Sequence, residues 1–313
     1  MNTISLTLPS FAKINWSLRV LGKRPNGYHE VLTVLQTVSL SDELTFRLRD
    51  DDRIHVSCDD RSVPTDETNL VVKAALALRK RVQSSRGADV ALTKRIPAQG
   101  GLGGASSNAA AALLALNALW NCELGADELN LLARDLGSDV PFFLTGGRSI
   151  GIGTGTTVKG VHDQPKQHLI IVTPNAKVST ATAYAALNAV SLTTFDVASI
   201  LSSSLADVLS ADSRQLPLCN DFERVIFEIE PEIERVKAAL LESGARGALL
   251  AGSGSSVFGV FDDEALRNDA LGNLKSEAGW RTFSCETISR DEYFTAINSS
   301  GFPLLRSLKT ANR

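Results

Sequence analysis

A glycine-rich segment, residues 97–108 (Pro-Ala-Gln-Gly-Gly-Leu-Gly-Gly-Ala-Ser-Ser-Asn), has the residue types and spacing of an anion site. An alternating apolar run, which predicts a strand, ends before it, and an alanine- and leucine-rich run, which predicts a helix, follows it. Glycine lets backbone N–H groups approach a ligand closely, and a helix start adds unpaired N–H donors and the positive end of its dipole. The segment therefore predicts a phosphate site.

Two common phosphate motifs do not fit this segment. A Walker loop ends in Gly-Lys-Ser/Thr, whereas here the end is Gly-Ala-Ser. A dinucleotide fingerprint needs a third glycine where Ser106 stands, and no βαβ unit opens the chain. The alternative to a phosphate site is a flexible connection, or close packing of a strand on a helix.

Asp139 and Lys13 are the candidates for catalysis outside the loop. Asp139 stands two residues before Pro141 at a predicted helix start, where a carboxylate is often only an N-cap. The alternative interpretation is that Asp139 acts as a general base or polarises a substrate hydroxyl. Lys13 shares a strand face with Asn15 and would ordinarily be solvated. Beside a carboxylate and phosphates, however, it would keep Asp139 ionised and neutralise charge during phosphoryl transfer.

Two further segments carry weaker chemical signals. Tyr28 and His29 follow a tight turn, and they could form either a surface loop with a core tyrosine or an aromatic platform beside a hydrogen-bonding imidazole. Residues 252–255 (Gly-Ser-Gly-Ser) could form either a plain hairpin or a second backbone nest for phosphate.

The composition is that of an ordinary folded protein, with 43% hydrophobic and 21% charged residues. The net charge of −3 gives no basic field for nucleic acid or a membrane surface. No apolar run approaches the length of a membrane span and no secretory signal opens the chain, so we expect a cytoplasmic protein. The cysteines are widely spaced, which favours reduced thiols over a disulfide or metal framework: Cys58, Cys122, Cys219 and Cys285.

The order of predicted elements indicates an α+β fold in two layers, because hairpins occur among alternating strands and helices. In the first half, strands are predicted at residues 5–20, 31–40, 44–48, 54–58 and 90–96, helices at 69–82, 109–119 and 127–136, and a hairpin at 149–158. After a linker at 161–167, strands are predicted at 169–172, 248–251, 256–261 and 281–288, and helices near 180–189, 196–210, 221–229, 232–243 and 263–276. We expect two domains, residues 1–163 and 164–313.

The glycine segment resembles the phosphate loop of the GHMP kinases, which include galactokinase, homoserine kinase and mevalonate kinase. Residues 250–258 resemble the third motif of that family. Residues 9–15 (Pro-Ser-Phe-Ala-Lys-Ile-Asn), 26–30 (Asn-Gly-Tyr-His-Glu) and 136–143 resemble one member whose substrate carries a cytidylyl group. The resemblance runs in order from residue 9 to about residue 261, and residues 26–30 are its most specific part.

The resemblance implies an ATP-dependent kinase that uses Mg²⁺ and phosphorylates a hydroxyl of a small cytidylyl substrate. Asp139 would receive or polarise the hydroxyl proton, with Lys13 beside it. Tyr28 would stack on the cytosine, His29 would hydrogen-bond its edge, and Asn15 would contact the sugar-like part. The third motif, Gly252, Ser253 and Gly254, would lie at the ligand phosphates. The residues that would cradle ATP are Pro97, Ala98, Gln99, Gly100, Gly101, Leu102, Gly103, Gly104, Ala105, Ser106 and Ser107, of which Ser106 or Ser107 would lie near Mg²⁺.

The fold implied by the resemblance is an N-terminal ribosomal-protein-S5-like α/β domain and a C-terminal ferredoxin-like domain, in a monomer or weak homodimer. Ala105 departs from the family, because a glycine commonly precedes the two serines. Its Cβ requires a negative φ or a shifted loop. The alternatives are a GHMP kinase of another small alcohol, such as mevalonate or homoserine, against which Tyr28 and His29 argue, and a non-catalytic nucleotide-binding protein, against which Lys13 and Asp139 argue.

Overall fold

The computed structural model describes residues 5–192 and 218–299, which form two packed β-sheets. The first sheet is built on two long antiparallel strands, β1 (Ser5–Lys23) and β2 (His29–Arg49). Within the described residues it has five more strands, β3 (Ile54–Cys58), β4 (Gly87–Thr93), β5 (Arg148–Gly153), β6 (Thr157–Gly160) and one that joins from later in the chain. The second half of β2 pairs with β4 and its first half with β5, so β2 holds this layer together.

Within the described residues, the outer face of the first sheet is covered by α1 (Leu70–Val82), α2 (Gly104–Leu119), α3 (Ala126–Leu136) and α4 (Val140–Thr145). The alanine-rich α2 lies at the centre and is buried from Ser107 onwards over most of its surface. Small side chains let its backbone approach both the sheet and its neighbouring helices. Because α2 is buried on most sides, it has no polar face, and its amphipathic pattern is weak. Apolar residues of β1, β2 and β4 complete this core, among them Leu8, Phe46 and Val90.

The second sheet is antiparallel, with the order β11-β7-β10-β9. Its strands are β7 (His168–Pro174), β9 (Gly247–Leu250), β10 (Val257–Phe261) and β11 (Trp280–Glu286), while β8 (Cys219–Asn220) pairs with β1 of the first sheet. Its helices are α5 (Thr180–Leu187), α6 (Glu223–Ile229), α7 (Pro231–Glu242) and α8 (Glu264–Leu274). Ile170 and Val172 face these helices, and Leu169 and Ile171 face the first sheet, as the two-residue period of a strand requires.

The predicted α+β architecture is confirmed, and most predicted elements lie within a few residues of their expected positions. The division of residues 31–48 into two strands is wrong, because β2 is continuous from His29 to Arg49. An uninterrupted alternation along β1 would place Leu18 on the same face as Ile14, but the strand is interrupted. A bulge at Trp16 shifts the register of β1 against β2, and Leu18 consequently faces the same cavity as Lys13. The helix predicted at 196–210 lies outside the described residues.

The chain passes from the first sheet to the second between Gly160 and His168. Two later segments nevertheless return to the first layer. One is β8, and the other is α9 (Arg290–Asn298), whose Tyr293 and Ile297 are buried in the core of the first layer. We keep 1–163 and 164–313 as the proposed domains, with these two segments reaching across.

Candidate active site

A cavity of about 490 Å³ opens where the glycine loop meets the second sheet. One side of it, called here the β3–α1 side, is lined by Ser62, Val63, Pro64, Thr68, Asn69, Leu70, Leu92 and Lys94. The opposite side, called here the α5–α6 side, is lined by Leu18, Val31, Thr33, Thr180, Tyr184 and Phe222. A Cβ added at Gly104 would lie 3.3 Å from Lys94 Nζ, and one added at Gly103 would lie 2.9 Å from Lys13 Cγ. The glycine loop therefore lies close to both Lys94 and Lys13.

The glycines of this loop are needed for its backbone conformation and for close packing. Gly101 and Gly103 have φ of +74° and +72°, which glycine adopts at little cost, and Gly103 is the N-cap of α2. A Cβ at Gly101 would lie 1.9 Å from the carbonyl oxygen of Ala251. Ser256 N also donates to Gly100 O at 3.2 Å. The loop therefore lines a cavity and also packs tightly against the second sheet, and the phosphate site stays a prediction.

Residues 97–106 all line the cavity, whereas Ser107 does not. Ser107 is buried with its Oγ 2.7 Å from Ser10 Oγ, so of the two serines Ser106 is the one facing the open space. Ala105 lies in the first turn of α2 with a negative φ, so its Cβ fits without shifting the loop. The departure from the family pattern at this position is therefore accommodated by the helix.

Lys13 and Asp139 meet in the cavity, with Lys13 Nζ 3.5 Å from Asp139 Oδ2. Lys13 is only 3% exposed, so it is not the solvated surface lysine of the alternative interpretation. Its Nζ donates to Asn15 Oδ1 at 2.9 Å, and Asn15 Nδ2 donates to Thr33 Oγ1 at 2.8 Å. These hydrogen bonds fix the position of the ammonium group.

Asp139 occupies the N-cap position of α4, as predicted, and Pro141 lies in the first turn. Its carboxylate, however, makes no capping hydrogen bond. The side chain is about one-third exposed and faces Lys13 instead. A carboxylate that is free of a capping bond and adjacent to a cation is available to a substrate hydroxyl.

Neither Tyr28 nor His29 lines the cavity, but His29 contacts Tyr184, which does. Tyr28 is 65% exposed at the tip of the turn between β1 and β2, so it is not a core residue. The buried Glu30 holds this turn, because it pairs with Arg24 and accepts a hydrogen bond from Gly153 N at 3.1 Å. The most specific motif of the sequence therefore combines a structural glutamate with an exposed aromatic ring.

His29 stacks on Tyr184, with ring centroids 4.6 Å apart and an interplanar angle of 24°. Burial and the charge of Lys23 lower the pKa of His29, so its imidazole is neutral at pH 7. Tyr184 lines the cavity and packs edge-to-face on Phe222. Burial, together with the charge of Asp139, raises the pKa of Tyr184 to about 12, so the phenol keeps its proton.

Tyr184 and Phe222 line the cavity but were not predicted from the sequence. The available signal was slight, since Tyr184 is one of only three tyrosines in the chain. Thr180 Oγ1 lies 3.0 Å from Ser253 Oγ, and both residues line the cavity. These contacts join α5 to the third motif.

Only part of the third motif, residues 252–254, lines the cavity. Gly252 and Ser253 line the cavity, and a Cβ on Gly252 would lie 3.2 Å from Lys13 Nζ. Gly254 is outside the lining, and a Cβ there would point at Leu250 and the helices of the second sheet. Asn220 Nδ2 donates to Gly252 O at 2.7 Å and fixes the loop from β8.

Comparison with known proteins shows the family to which the chain belongs. Residues 69–147 match the family described as GHMP kinases N terminal domain, and residues 196–279 match GHMP kinases C terminal. The fold and the site thus define a GHMP kinase, an ATP-dependent small-molecule kinase. A solved homoserine kinase from Cytophaga hutchinsonii shares the fold, with a TM-score of 0.68 and 19% identity over 92% of this chain and 96% of that one.

Relatives of higher sequence identity show which family of GHMP kinases the chain belongs to. The chain is 38% identical to 4-diphosphocytidyl-2-C-methyl-D-erythritol kinase of Geobacter sp. strain M21, over 92% of this chain and 100% of the relative. It is also 38% identical to the kinase of that name from Syntrophotalea carbinolica, over 89% and 97%. A solved 4-(cytidine 5'-diphospho)-2C-methyl-D-erythritol kinase has a TM-score of 0.73 and 31% identity, over 90% of this chain and 99% of that one. The chain belongs to the 4-diphosphocytidyl-2-C-methyl-D-erythritol kinase family.

Within residues 5–192 and 218–299, no helix is both long enough and apolar enough to cross a bilayer.

Proposed function

We propose that this chain transfers the γ-phosphoryl group of ATP to the 2-hydroxyl of 4-diphosphocytidyl-2-C-methyl-D-erythritol, giving the 2-phosphate and ADP. The observation that carries this proposal is the Lys13–Asp139 pair, 3.5 Å apart beside a phosphate-type loop and between two sides of one cavity. A two-substrate transfer needs such an arrangement, since donor and acceptor must meet at one point.

ATP binds with its phosphates on residues 97–106, which line the cavity, and its nucleoside on the β3–α1 side. Val63, Pro64 and Leu70 supply apolar surface for a base there, and Lys94 supplies a buried cation. Lys94 pairs with Asp42 at 2.9 Å, and Asp42 also accepts hydrogen bonds from Arg95 N and Ile96 N. This pair holds the chain that leads into the glycine loop, which supports a fixed geometry for the phosphates.

The cytidylyl substrate binds on the α5–α6 side. Tyr28 stacks on the cytosine and the neutral His29 hydrogen-bonds its edge, with Tyr184 packed behind His29. Gly252, Ser253 and Gly254 serve the diphosphate, with Gly252 and Ser253 nearest the cavity. Asn15, held by Lys13 and Thr33, contacts the methylerythritol.

In the transfer, the 2-hydroxyl oxygen forms the new bond to phosphorus as the bond between the γ-phosphorus and the bridging oxygen breaks. The hydroxyl donates to the Asp139 carboxylate, which receives or orients its proton. Lys13, 3.5 Å from that carboxylate, stabilises negative charge on the phosphoryl group. Since this group is transferred with little covalent help, positioning and charge account for most of the rate.

The residues present fit a Mg²⁺ ion held mainly by ATP. Magnesium commonly binds through one or two protein groups together with substrate phosphates and water. Within the described residues, no three His, Cys, Asp or Glu side chains form a ligand group. The Ser106 hydroxyl, which lines the cavity at the start of α2, would hold the ion. When bound, the ion neutralises phosphate charge.

The proposed reaction is a step of the non-mevalonate pathway of isoprenoid biosynthesis. We propose that it takes place in the cytoplasm, in a monomer or weak homodimer. The net charge of −3 gives no basic field, so we expect no binding to nucleic acid or membrane.

A substrate panel tests this proposal. ADP release would be measured with ATP and, in turn, the cytidylyl substrate, mevalonate and homoserine. We expect turnover with the cytidylyl compound and at least about a hundredfold lower kcat/KM with the others, because their lack of a base leaves the aromatic groups unused. Turnover of mevalonate or homoserine without turnover of the cytidylyl substrate would reject the assignment.

A further inference from the structure

The C-terminal helix α9 is packed against the far end of α4, the short helix that begins at Asp139. Two glycines make this approach possible. A Cβ on Gly146 would lie 2.3 Å from the ring of Tyr293, and one on Gly147 would lie 2.7 Å from Arg290 Cβ. These glycines therefore do more than end a helix, because they admit α9 to within contact of the backbone.

Arg290 joins the end of α4 to the chain that follows it. Its guanidinium donates to Thr145 O at 3.3 Å, to Arg148 O at 2.5 Å and to Val161 O at 3.2 Å. Its backbone N–H donates to Asp163 Oδ2 at 2.8 Å. Carbonyls at a helix C-terminus lack helical partners and accept such donors readily.

Tyr293 makes a second connection, one turn further along α9. Its ring is buried beside Phe11, and its hydroxyl donates to Phe143 O in the last turn of α4. Burial raises the pKa of Tyr293, so the hydroxyl stays a donor at all pH values of interest. The bond links residues 150 positions apart in the chain.

The helix α4 carries this constraint to the reacting groups. It has six residues, so its two ends are about 9 Å apart. A Cβ added at Gly103 would lie 2.9 Å from the ring of Phe143 and 2.9 Å from Lys13 Cγ, so Gly103 is packed between these two side chains. Moving α4 therefore moves Asp139 directly, and it also disturbs the packing around Lys13 and the N-cap of α2.

We propose that Arg290 and Tyr293 are positioning residues, which hold α4 so that Asp139 meets the substrate hydroxyl. This inference rests on the proposed function. Neither side chain lines the cavity, so both act through the backbone of α4. They set the rate of transfer without contributing to the binding of either substrate.

The test uses Tyr293→Phe, which removes one hydrogen bond and keeps the ring. We expect kcat to fall about five- to tenfold, because small displacements of a catalytic group are costly, while both KM values stay within about twofold. Hydrogen exchange of the backbone over residues 139–148 should quicken about fivefold, since α4 loses a bond. Arg290→Gln should lower kcat further, and Arg290→Lys should restore part of it.

Ile297→Val is the matched control, since it removes only one methyl group from an apolar side chain that is buried on the same helix. It should lower Tm about as much as Tyr293→Phe and leave kcat unchanged. The inference is overturned if Tyr293→Phe keeps wild-type kcat, or if Ile297→Val lowers kcat equally. A wild-type protein that does not turn over the cytidylyl substrate would instead reject the proposed function. The hydrogen-exchange measurement would still show whether Arg290 and Tyr293 hold α4 in place.

Discussion

At the scale of single residues, the contrast between Lys13 and Asp139 is informative. Lys13 is fully enclosed and hydrogen-bonded to Asn15, whereas Asp139 is partly open and free of a capping bond. A fixed cation beside an accessible carboxylate suits a reaction in which a hydroxyl must approach and lose its proton. Their chemistry could be predicted from residue type, but their 3.5 Å separation could not, because it depends on how α4 packs.

Tyr28→Ala should weaken the cytidylyl substrate selectively. Base–aromatic stacking contributes roughly 1–3 kcal/mol, so we expect KM for this substrate to rise about tenfold while KM for ATP is unchanged. Tyr28 is 65% exposed, so the substitution should leave Tm almost unaffected. Tyr28→Phe keeps the ring and should behave as wild type. Equal losses for both substrates would assign Tyr28 a structural part.

His29 should make substrate binding sensitive to acid. Its pKa is lowered by burial, so the neutral ring that stacks on Tyr184 is the favoured form in the folded state. In the pH range between this lowered pKa and the ordinary histidine pKa of about 6.5, the unfolded chain binds more protons than the folded chain. The free energy of unfolding therefore falls as the pH falls. KM for the cytidylyl substrate, measured from pH 8 to pH 5, should therefore rise towards pH 5.

His29→Gln is the variant that checks this assignment, because glutamine does not titrate. It should remove the acid-dependent rise in KM, whereas His55→Gln, at an exposed position on β3, should retain it. A rise that persists unchanged in His29→Gln would show that another group is responsible.

At the scale of elements, local sequence patterns predicted most helices, strands and turns, whereas strand register and contacts between distant segments depend on long-range packing. The glycine loop, α2 and the start of α4 were predictable because glycine, proline and alanine have strong local preferences. The bulge at Trp16 was not, since register depends on the partner strand. Tyr184 and the contact of Tyr293 with Phe143 were also missed, because nothing near them in the sequence indicates a partner so far along the chain.

Gly101→Ala should separate the glycine loop from the second sheet. The new Cβ would meet Ala251 O at 1.9 Å, and a positive φ costs a non-glycine residue about 1–2 kcal/mol more. We expect KM for ATP to rise at least about tenfold and Tm to fall by several degrees. Gly272→Ala, where an added Cβ meets nothing, should leave KM unchanged. Wild-type KM in Gly101→Ala would show that this contact does not shape the ATP site.

At the scale of the whole molecule, the two sheets share a core and the cavity opens beside it. Ile14 and Trp16 of the first sheet pack against Ile171 and Phe258 of the second, with the rings of Trp16 and Phe258 5.6 Å apart. The cavity is lined from both layers, so the donor site and the acceptor site depend on one interface. We expect the layers to unfold together.

Binding of a non-hydrolysable ATP analogue should therefore stabilise the entire chain. At a hundred times its Kd it adds about 2.7 kcal/mol, which should raise Tm by a few degrees in a single calorimetric transition. At the same concentration, Gly101→Ala should show a smaller rise. Two transitions, of which the analogue moves only one, would contradict a shared interface.

The most direct test of the account is the kcat of Asp139→Asn with ATP and the cytidylyl substrate. Asparagine keeps the size of the side chain but accepts a proton poorly, so kcat should fall at least about a hundredfold while KM for ATP stays within about threefold. Asp135→Asn, the same change at an exposed position on α3, should keep wild-type kcat. An Asp139→Asn variant with kcat within tenfold of wild type would contradict the central role of Asp139.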